Sequence, residues 1–406
     1  MTIVVNRIYL CFTLLIVIIS VPTVADVTSA LNTASGEQRY GAGYSVQQTS
    51  DGGYIITGTR YSDEIKFMSQ MVWLIKAAPN GDLVWDRIFG GSHNDVGYSV
   101  QQTSDGYIVA GSTESLGAGG PDLWLIKTDS NGREVWNRTF GGPRGDWGRS
   151  IEQTTDGGYV VTGSTYSYDA AHQSQMVWLI KTDANGDKVW DRIFGGPSDD
   201  WGNYVQQTGD GGYIITGATK SYGTRGNSAL WLIKTDANGN EVWDRTFGGP
   251  GNTVGYSVQQ TDDGGYIIAG SKVPEAGIAG EIWVIKTDAN GTEVWDKSFG
   301  GSGDDAGKSV QQTSDGGYIL TGSKTASTGG SQSAWLIKID ANGNEEWDRT
   351  FGESGWNEGK SVEQTSDGGY IITGSTYSYA VGGKNSAVWL IKTDKNGDKV
   401  WDRTLS

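Results

Sequence analysis

Apolar positions along this chain gather in short runs and never in long stretches of helical spacing. One representative stretch carries the runs Ser150 to Thr154, Tyr159 to Gly163, Val177 to Thr182 and Lys188 to Phe194. They are rich in β-branched and aromatic residues and bounded by Gly, Asn and Asp, which predicts four strands, here named A to D. Asp156-Gly157-Gly158 turns A into B, a longer segment joins B to C, and Asp183-Ala184-Asn185-Gly186 turns C into D. Asn-Gly between two apolar runs is the strongest short-range hairpin signal. No segment carries helix caps, so the protein is expected to be nearly all β.

Side-chain parity refines the C–D hairpin. A two-residue loop, Asn185-Gly186, would pair Trp190 with Lys181. A three-residue loop, with Gly186 left-handed, would pair Trp190 with Ile180 and place it on the same face as Trp178. The second arrangement buries both tryptophans on one face and is the one expected.

The same unit recurs seven times. Its strand C tryptophans are Trp73, Trp124, Trp178, Trp231, Trp283, Trp335 and Trp389. Its strand D tryptophans are Trp85, Trp136, Trp190, Trp243, Trp295, Trp347 and Trp401, always 12 residues later. Copy two has lost a glycine and reads Asp105-Gly106-Tyr107. Seven four-stranded antiparallel units of about 52 residues predict a seven-bladed β-propeller over residues 36–406. A lone four-stranded sheet cannot bury both faces, so the tryptophans are read as structural seams between blades rather than a ligand box. The rival architecture is an open stack, which would need polar end caps; neither end copy differs from the middle ones. Residues Glu37 to Gly41 faintly resemble the end of strand D and could pair with the last blade.

Composition narrows the function classes. Of 406 residues 63 are Gly, 17 Trp and only 7 Pro, which excludes both disorder and a collagen-like chain. A formal charge of −16 disfavours nucleic acid as a partner. Cys11 is the only cysteine, so disulfides and thiolate metal sites are excluded beyond it. His93 and His172 are the only histidines and are expected at the surface. Arg7, the apolar run Ile8 to Ile19 and Thr23-Val24-Ala25 have the pattern of a secretory signal over residues 1–25, with an uncleaved anchor as the alternative. A short linker, 26–35, follows, and the mature protein is expected to be secreted or held at the cell surface as a monomer.

The Asp-x-Asn-Gly-x-x-x-Trp turn resembles the tryptophan-docking repeat of quinoprotein-type propellers. The whole unit, with Gly-Gly-Tyr-Ile-Ile-Thr-Gly-Ser and Trp-Asp-Arg-Thr-Phe-Gly-Gly, is more similar to secreted propeller repeats of archaeal and bacterial surface proteins. The turn is one residue shorter than in quinoprotein repeats, and the cysteine pair those dehydrogenases tend to carry at their cofactor is absent. The glycine pairs resemble those of kelch repeats but open the strand B segment instead of ending a strand.

Nearly all length variation lies in the B–C loops. In a meander, A–B and C–D turns share one rim, while B–C loops and the D–A connectors between blades share the other. The variable rim holds the remaining tryptophans, Trp147, Trp201 and Trp356, with Tyr61, Tyr166, Tyr168, Tyr222, Tyr377 and Tyr379. Two groups are expected: Trp147, Trp201, Tyr166, Tyr168 and Tyr222 around blades 3 and 4, and Trp356, Tyr377, Tyr379 and Tyr61 around blades 6, 7 and 1. Such aromatics suit a glycan or a protein ligand; otherwise they are lids over the blade ends. The turn Asp183-Ala184-Asn185-Gly186-Asp187 partly matches a calcium loop but lacks its glutamate. Calcium could also bind connector acids such as Asp95, Asp146, Asp199-Asp200 and Asp304-Asp305; turn capping is the simpler role, and no cofactor is expected. No nucleophile–base motif occurs, and Lys181, Asp156 and Arg192 recur too regularly to be catalysts. The expected function is a non-enzymatic binding or adhesion module. The alternatives are a propeller enzyme acting on polysaccharide and a structural surface-layer component.

Overall fold

The Asp-x-Asn-Gly turn builds as a three-residue loop. Asp183 N–H donates to Asp187 O at 2.9 Å, and Gly186 takes the left-handed conformation at φ 79°. Strand D then departs from the expected register. Thr182 pairs with Lys188 but Lys181 pairs with Trp190, so Val189 is bulged out and 61% exposed. A single extra residue reverses the facing of everything beyond it. The two tryptophans of a unit therefore lie on opposite faces of their sheet, correcting the expectation that they share one. All seven C–D hairpins carry the same shift.

The computed structural model describes residues 41–61, 69–168, 174–275, 279–326, 330–352, 354–377 and 386–405. The segments expected to be a secretory signal and a linker, residues 36–40, His172 and Tyr379 lie outside them. Among the described residues there is no helix. Seven four-stranded antiparallel meanders run Gly41–Phe89, Asp95–Phe140, Asp146–Phe194, Asp200–Phe247, Asn252–Phe299, Ala306–Phe351 and Glu358–Leu405. Together they form a seven-bladed β-propeller. Among the described residues each blade uses four consecutive strands of its own, and none crosses from one end of the chain to complete a blade at the other.

Opposite-facing tryptophans hold neighbouring blades together from both sides. Trp178 points back, packing with Ile180 and Tyr159 on Leu123 and Leu125 of the preceding blade. Trp190 points forward onto Val205, Tyr213 and Ile215 of the next. Its ring meets Tyr213 edge-on at 5.8 Å. A Cβ on Gly239, in the following C–D turn, would lie 2.5 Å from Trp190, so that glycine is needed for close approach as well as for its positive φ. The indole N–H of Trp178 donates to Asp191 Oδ2 at 3.0 Å, and the guanidinium of Arg192 lies 5.1 Å from the Trp190 ring.

Blade 7 meets blade 1 through the same seam. Trp401 packs on Tyr54 at 5.9 Å with Leu390, Val388 and Ile56 between the sheets. The Arg403 guanidinium adds an exposed bond to Asp82 at 3.1 Å. The strand C lysines, such as Lys181, are buried and reach the A–B turn of their own blade: Lys181 Nζ lies 2.9 Å from Asp156 Oδ2 and donates to Thr182 O at 2.9 Å. These recurring ionisable groups fasten turns.

Trp190→Ala is expected to destabilise the protein by about 2–4 kcal/mol, the range for deleting a partly buried large aromatic. Val189→Thr, at the bulge, should change stability by less than about 0.5 kcal/mol. Equilibrium urea unfolding of both variants checks the register: comparable losses at the two positions would contradict it.

Candidate functional site

Strand A lines the propeller axis, and two of its positions meet around that axis in seven copies. The first glutamine of each Gln-Gln pair accepts a hydrogen bond from a backbone N–H of the next blade. Gln47 accepts from Gln102, Gln101 from Gln153, Gln206 from Gln260, Gln259 from Gln312 and Gln311 from Gln364, all at 2.5–2.6 Å. Glutamate replaces glutamine in two blades: Glu152 accepts from Gln207, and Glu363 closes the circle by accepting from Gln48 at 2.5 Å. One turn of strand nearer the variable rim, serine hydroxyls form a parallel set, as where Ser361 accepts from Val46 N–H at 3.3 Å. Tyr204 replaces serine in blade 4 and is 38% exposed within the axial cavity of about 240 Å³. Burial pushes Glu152 and Glu363 up to about 7, against the bonds from Gln207 and Gln48.

Above the serines, every strand A carries a β-bulge. The pairing skips Tyr44, Tyr98, Arg149, Asn203, Tyr256, Lys308 and Lys360. All seven, with Glu358, line one cavity of about 270 Å³ at the channel mouth. Each cation there lies over a tyrosine of a neighbouring blade: Arg149 over Tyr98 at 4.3 Å, Lys308 over Tyr256 at 4.1 Å and Lys360 over Tyr44 at 4.1 Å. Tyr44 and Tyr98 are themselves 5.4 Å apart. None of these residues stood out in the sequence reading. The signal was present: in the repeated Gly-x-Ser-Val-Gln-Gln, x is the most varied position, Tyr in three copies, Lys in two, Arg in one and Asn in one.

The aromatics singled out from sequence are distributed differently from the two expected groups. Trp147 meets Tyr166 edge-on at 6.0 Å, as grouped. It also lines a rim pocket of about 270 Å³ with Tyr61, from the other group, and with Tyr98 of the channel mouth. Gln70, Asn94 and Glu114 supply its polar wall. Gln70 donates to the Tyr61 hydroxyl at 2.8 Å and Asn94 to Glu114 at 3.1 Å, so that wall is preset. Tyr222 packs tilted at 58° against the seam residue Trp231, with ring centroids 5.4 Å apart, and donates to Gly195 O at 3.3 Å, the position of a lid. Trp201 sits 5.8 Å beneath Lys220, which pairs with Asp199. Tyr168 and Trp356 are exposed, at 65% and 53%. Trp356 N–H donates to Tyr377 O at 3.3 Å, so these two adjoin as grouped.

The connector acids cap backbone. Asp95, Asp146, Asp200 and Asp305 are buried and accept from Gly91, Gly142, Gly196 and Gly301 N–H, each at 2.9 Å. In blade 2 the buried Asp122 faces Asp146: a Cβ on Gly141 would lie 1.8 Å from Asp122 Oδ1 and 2.7 Å from Asp146 Oδ2. Burial, with the Asp146 charge adding to it and Ala118 N–H opposing, raises the Asp122 pKa. Among the described residues no three His, Cys, Asp or Glu side chains are placed to hold a metal.

No protein-family model matches the chain, and no curated protein does. Solved propellers share its fold. It is similar to a polysaccharide lyase, an ulvan lyase bound to a saccharide, with 10% identity over 91% of this chain and 97% of that one and a TM-score of 0.53. It is also similar to the Neurospora crassa Pan2 WD40 domain, at 9% identity over 82% and 86% and a TM-score of 0.51. The propeller domain of the Pyrococcus furiosus Trilobed protease aligns at 8% identity over 91% and 97%, with a TM-score of 0.48. At such identities the likeness is one of fold, and it spans enzymes and other proteins alike.

The two channel glutamates make stability depend on pH. The folded state holds their protons more tightly than the unfolded chain does. Their contribution is therefore complete below about pH 4.3 and is lost as pH rises through about 7. Glu152→Gln with Glu363→Gln, the residue of the other five blades, should raise stability at pH 8 by about 1–2 kcal/mol per site after allowing for channel water. At pH 4.5 the gain should nearly vanish. Thermal unfolding at both pH values tests this; an equal gain at both would contradict it.

Proposed function

We propose that this chain is an extracellular, non-enzymatic binding module, working without a cofactor, that recognises a saccharide on its variable rim. One observation carries the reading: Tyr61, Tyr98 and Trp147, from three successive blades, converge on one pocket whose wall is the preset amide and carboxylate set Gln70, Asn94 and Glu114. Pyranose rings present apolar C–H faces and polar hydroxyl edges, and aromatic faces beside fixed polar groups match both. At about 270 Å³ the pocket falls below the roughly 300–1,000 Å³ typical of sites for drug-sized ligands, a size for a terminal sugar or one ring of a chain. Binding rather than catalysis is favoured by how the recurring ionisable groups are used. The strand C lysines hold A–B turns and the connector aspartates cap glycine N–H groups. The signal-like first 25 residues support a place outside the cell.

A glycan array probed with the purified protein tests this. The expected result is reproducible binding to a defined saccharide, unchanged by EDTA. Trp147→Ala and Tyr61→Ala should weaken it at least tenfold while Tm moves by only a few degrees. Absence of saccharide binding, or affinity untouched by both substitutions, would refute the reading.

A further inference from the structure

The channel mouth concentrates positive charge on a chain whose formal charge is −16. Arg149, Lys308 and Lys360, from three different blades, enter one cavity of about 270 Å³ that all seven blades line. Among the described residues the only carboxylate lining it is Glu358, which sits 3.7 Å from both lysines, so the lining keeps a surplus of positive charge. We propose that this mouth binds the anionic substituent, a carboxylate or sulfate ester, of an acidic saccharide. The inference rests on the rim reading above and extends it: Tyr98 lines both the rim pocket and the mouth, so one chain can lie across the two.

The geometry has the marks of a built site. A bulge in an inner strand turns the extra side chain away from the ladder, and here it does so at the same position in every blade. Strand A otherwise repeats with few changes, so the side chains that differ are the ones delivered to the axis. The tyrosines hold the cations from below at 4.1–4.3 Å, which fixes long flexible stems before a ligand arrives. Lys360 is largely withdrawn from water, at 18% side-chain exposure, and burial lowers its pKa while Glu358 partly restores it. An arriving anion would supply the charge partner that water no longer does. Arg149 brings a planar fork suited to carboxylate or sulfate oxygens, with the two ammonium groups as point charges beside it. An acidic peptide would match the charge equally but would leave the rim pocket, with its aromatic faces and amide wall, unused.

Isothermal titration of the full-length protein with three probes tests this: a tetragalacturonate, a chondroitin sulfate tetrasaccharide and neutral cellotetraose. The expected result is at least tenfold tighter binding of one or both acidic probes than of the neutral one. That affinity should fall as salt rises from 50 to 300 mM, because exposed charge pairs are screened. Arg149→Gln and Lys308→Gln should each cost the acidic probe at least tenfold and leave neutral binding unchanged. Lys360→Arg, which keeps the charge, should retain binding where Lys360→Gln loses it, with Tm reporting that each variant folds. Equal affinity for neutral and acidic probes, or cation variants that bind normally, would overturn the anion site while leaving the rim reading intact. Acidic binding lost in the cation variants but unaffected by Trp147→Ala would support the anion site and sink the rim pocket. Silence toward all three probes would overturn both.

Discussion

A four-stranded sheet has two faces, and in this fold neither can be covered from within its own unit. Everything else depends on the answer to that constraint, the paired tryptophans facing opposite ways. Trp190 leans forward onto Tyr213 and the Gly239 turn, while Trp178 leans back onto Leu123 and Leu125. Each unit is therefore adhesive on both sides with the same chemistry. Seven such units need no special closing device. The contact of Trp401 with Tyr54 is the contact of Trp190 with Tyr213 repeated, although its partners are hundreds of residues apart in sequence. The polar counterpart is the ring of Gln and Glu side chains around the axis, where Glu363 takes the N–H of Gln48. Apolar seams give cohesion, and the hydrogen-bonded ring fixes the angular position of each innermost strand, because every acceptor has a single donor one blade on.

The repeat made most of this architecture legible. Unit number, strand number, turn chemistry and the separation of plain and variable rims all follow from spacing and from Asn-Gly, Asp-Gly and Trp positions. The facing of strand D was not legible. Turn chemistry correctly implied the three-residue loop with Gly186 left-handed, yet a second irregularity at Val189 undid the parity argument built on it. A bulge leaves little trace in a pattern of apolar residues, since Val189 is an apolar residue beside Trp190 and is nevertheless 61% exposed. The bulges in strand A were hidden for the same reason. They also place the residues that depart from the repeat where they matter most.

The candidate site was only half legible. Aromatic residues outside the repeat did mark the variable rim, and Trp147 with Tyr166 formed the expected neighbours. Ring order misled the grouping of Tyr61: it is expected beside blades 6 and 7 across the closure, yet it lines the rim pocket on the blade 2 side with Trp147. Composition also misdirects. Seeking unusual residue types finds Trp147, Trp201 and Trp356, but Tyr222, next to a structural tryptophan, is a lid, and Lys308 and Lys360 look ordinary in a chain with many lysines. What distinguishes them is that they stand where the five other copies of the unit carry tyrosine, arginine or asparagine.

This contrast explains how a nearly symmetric molecule acquires a specific surface. In a ring of identical units, any side chain directed at the axis meets six equivalents of itself. Seven lysines there would repel one another, and seven tyrosines would fill the opening. Placing Tyr44, Tyr98 and Tyr256 beside Lys360, Arg149 and Lys308 resolves both problems, since each cation rests on the negative face of a ring and each ring is kept from collapsing inward. The change costs the scaffold little: a bulged residue takes part in neither the strand ladder nor the apolar seam. Residues such as Lys181 and Trp190 are held constant because each has partners in its own blade or the next. The bulge position has none of those obligations, so it is the place on the axis where chemistry can differ from blade to blade without loosening the ring.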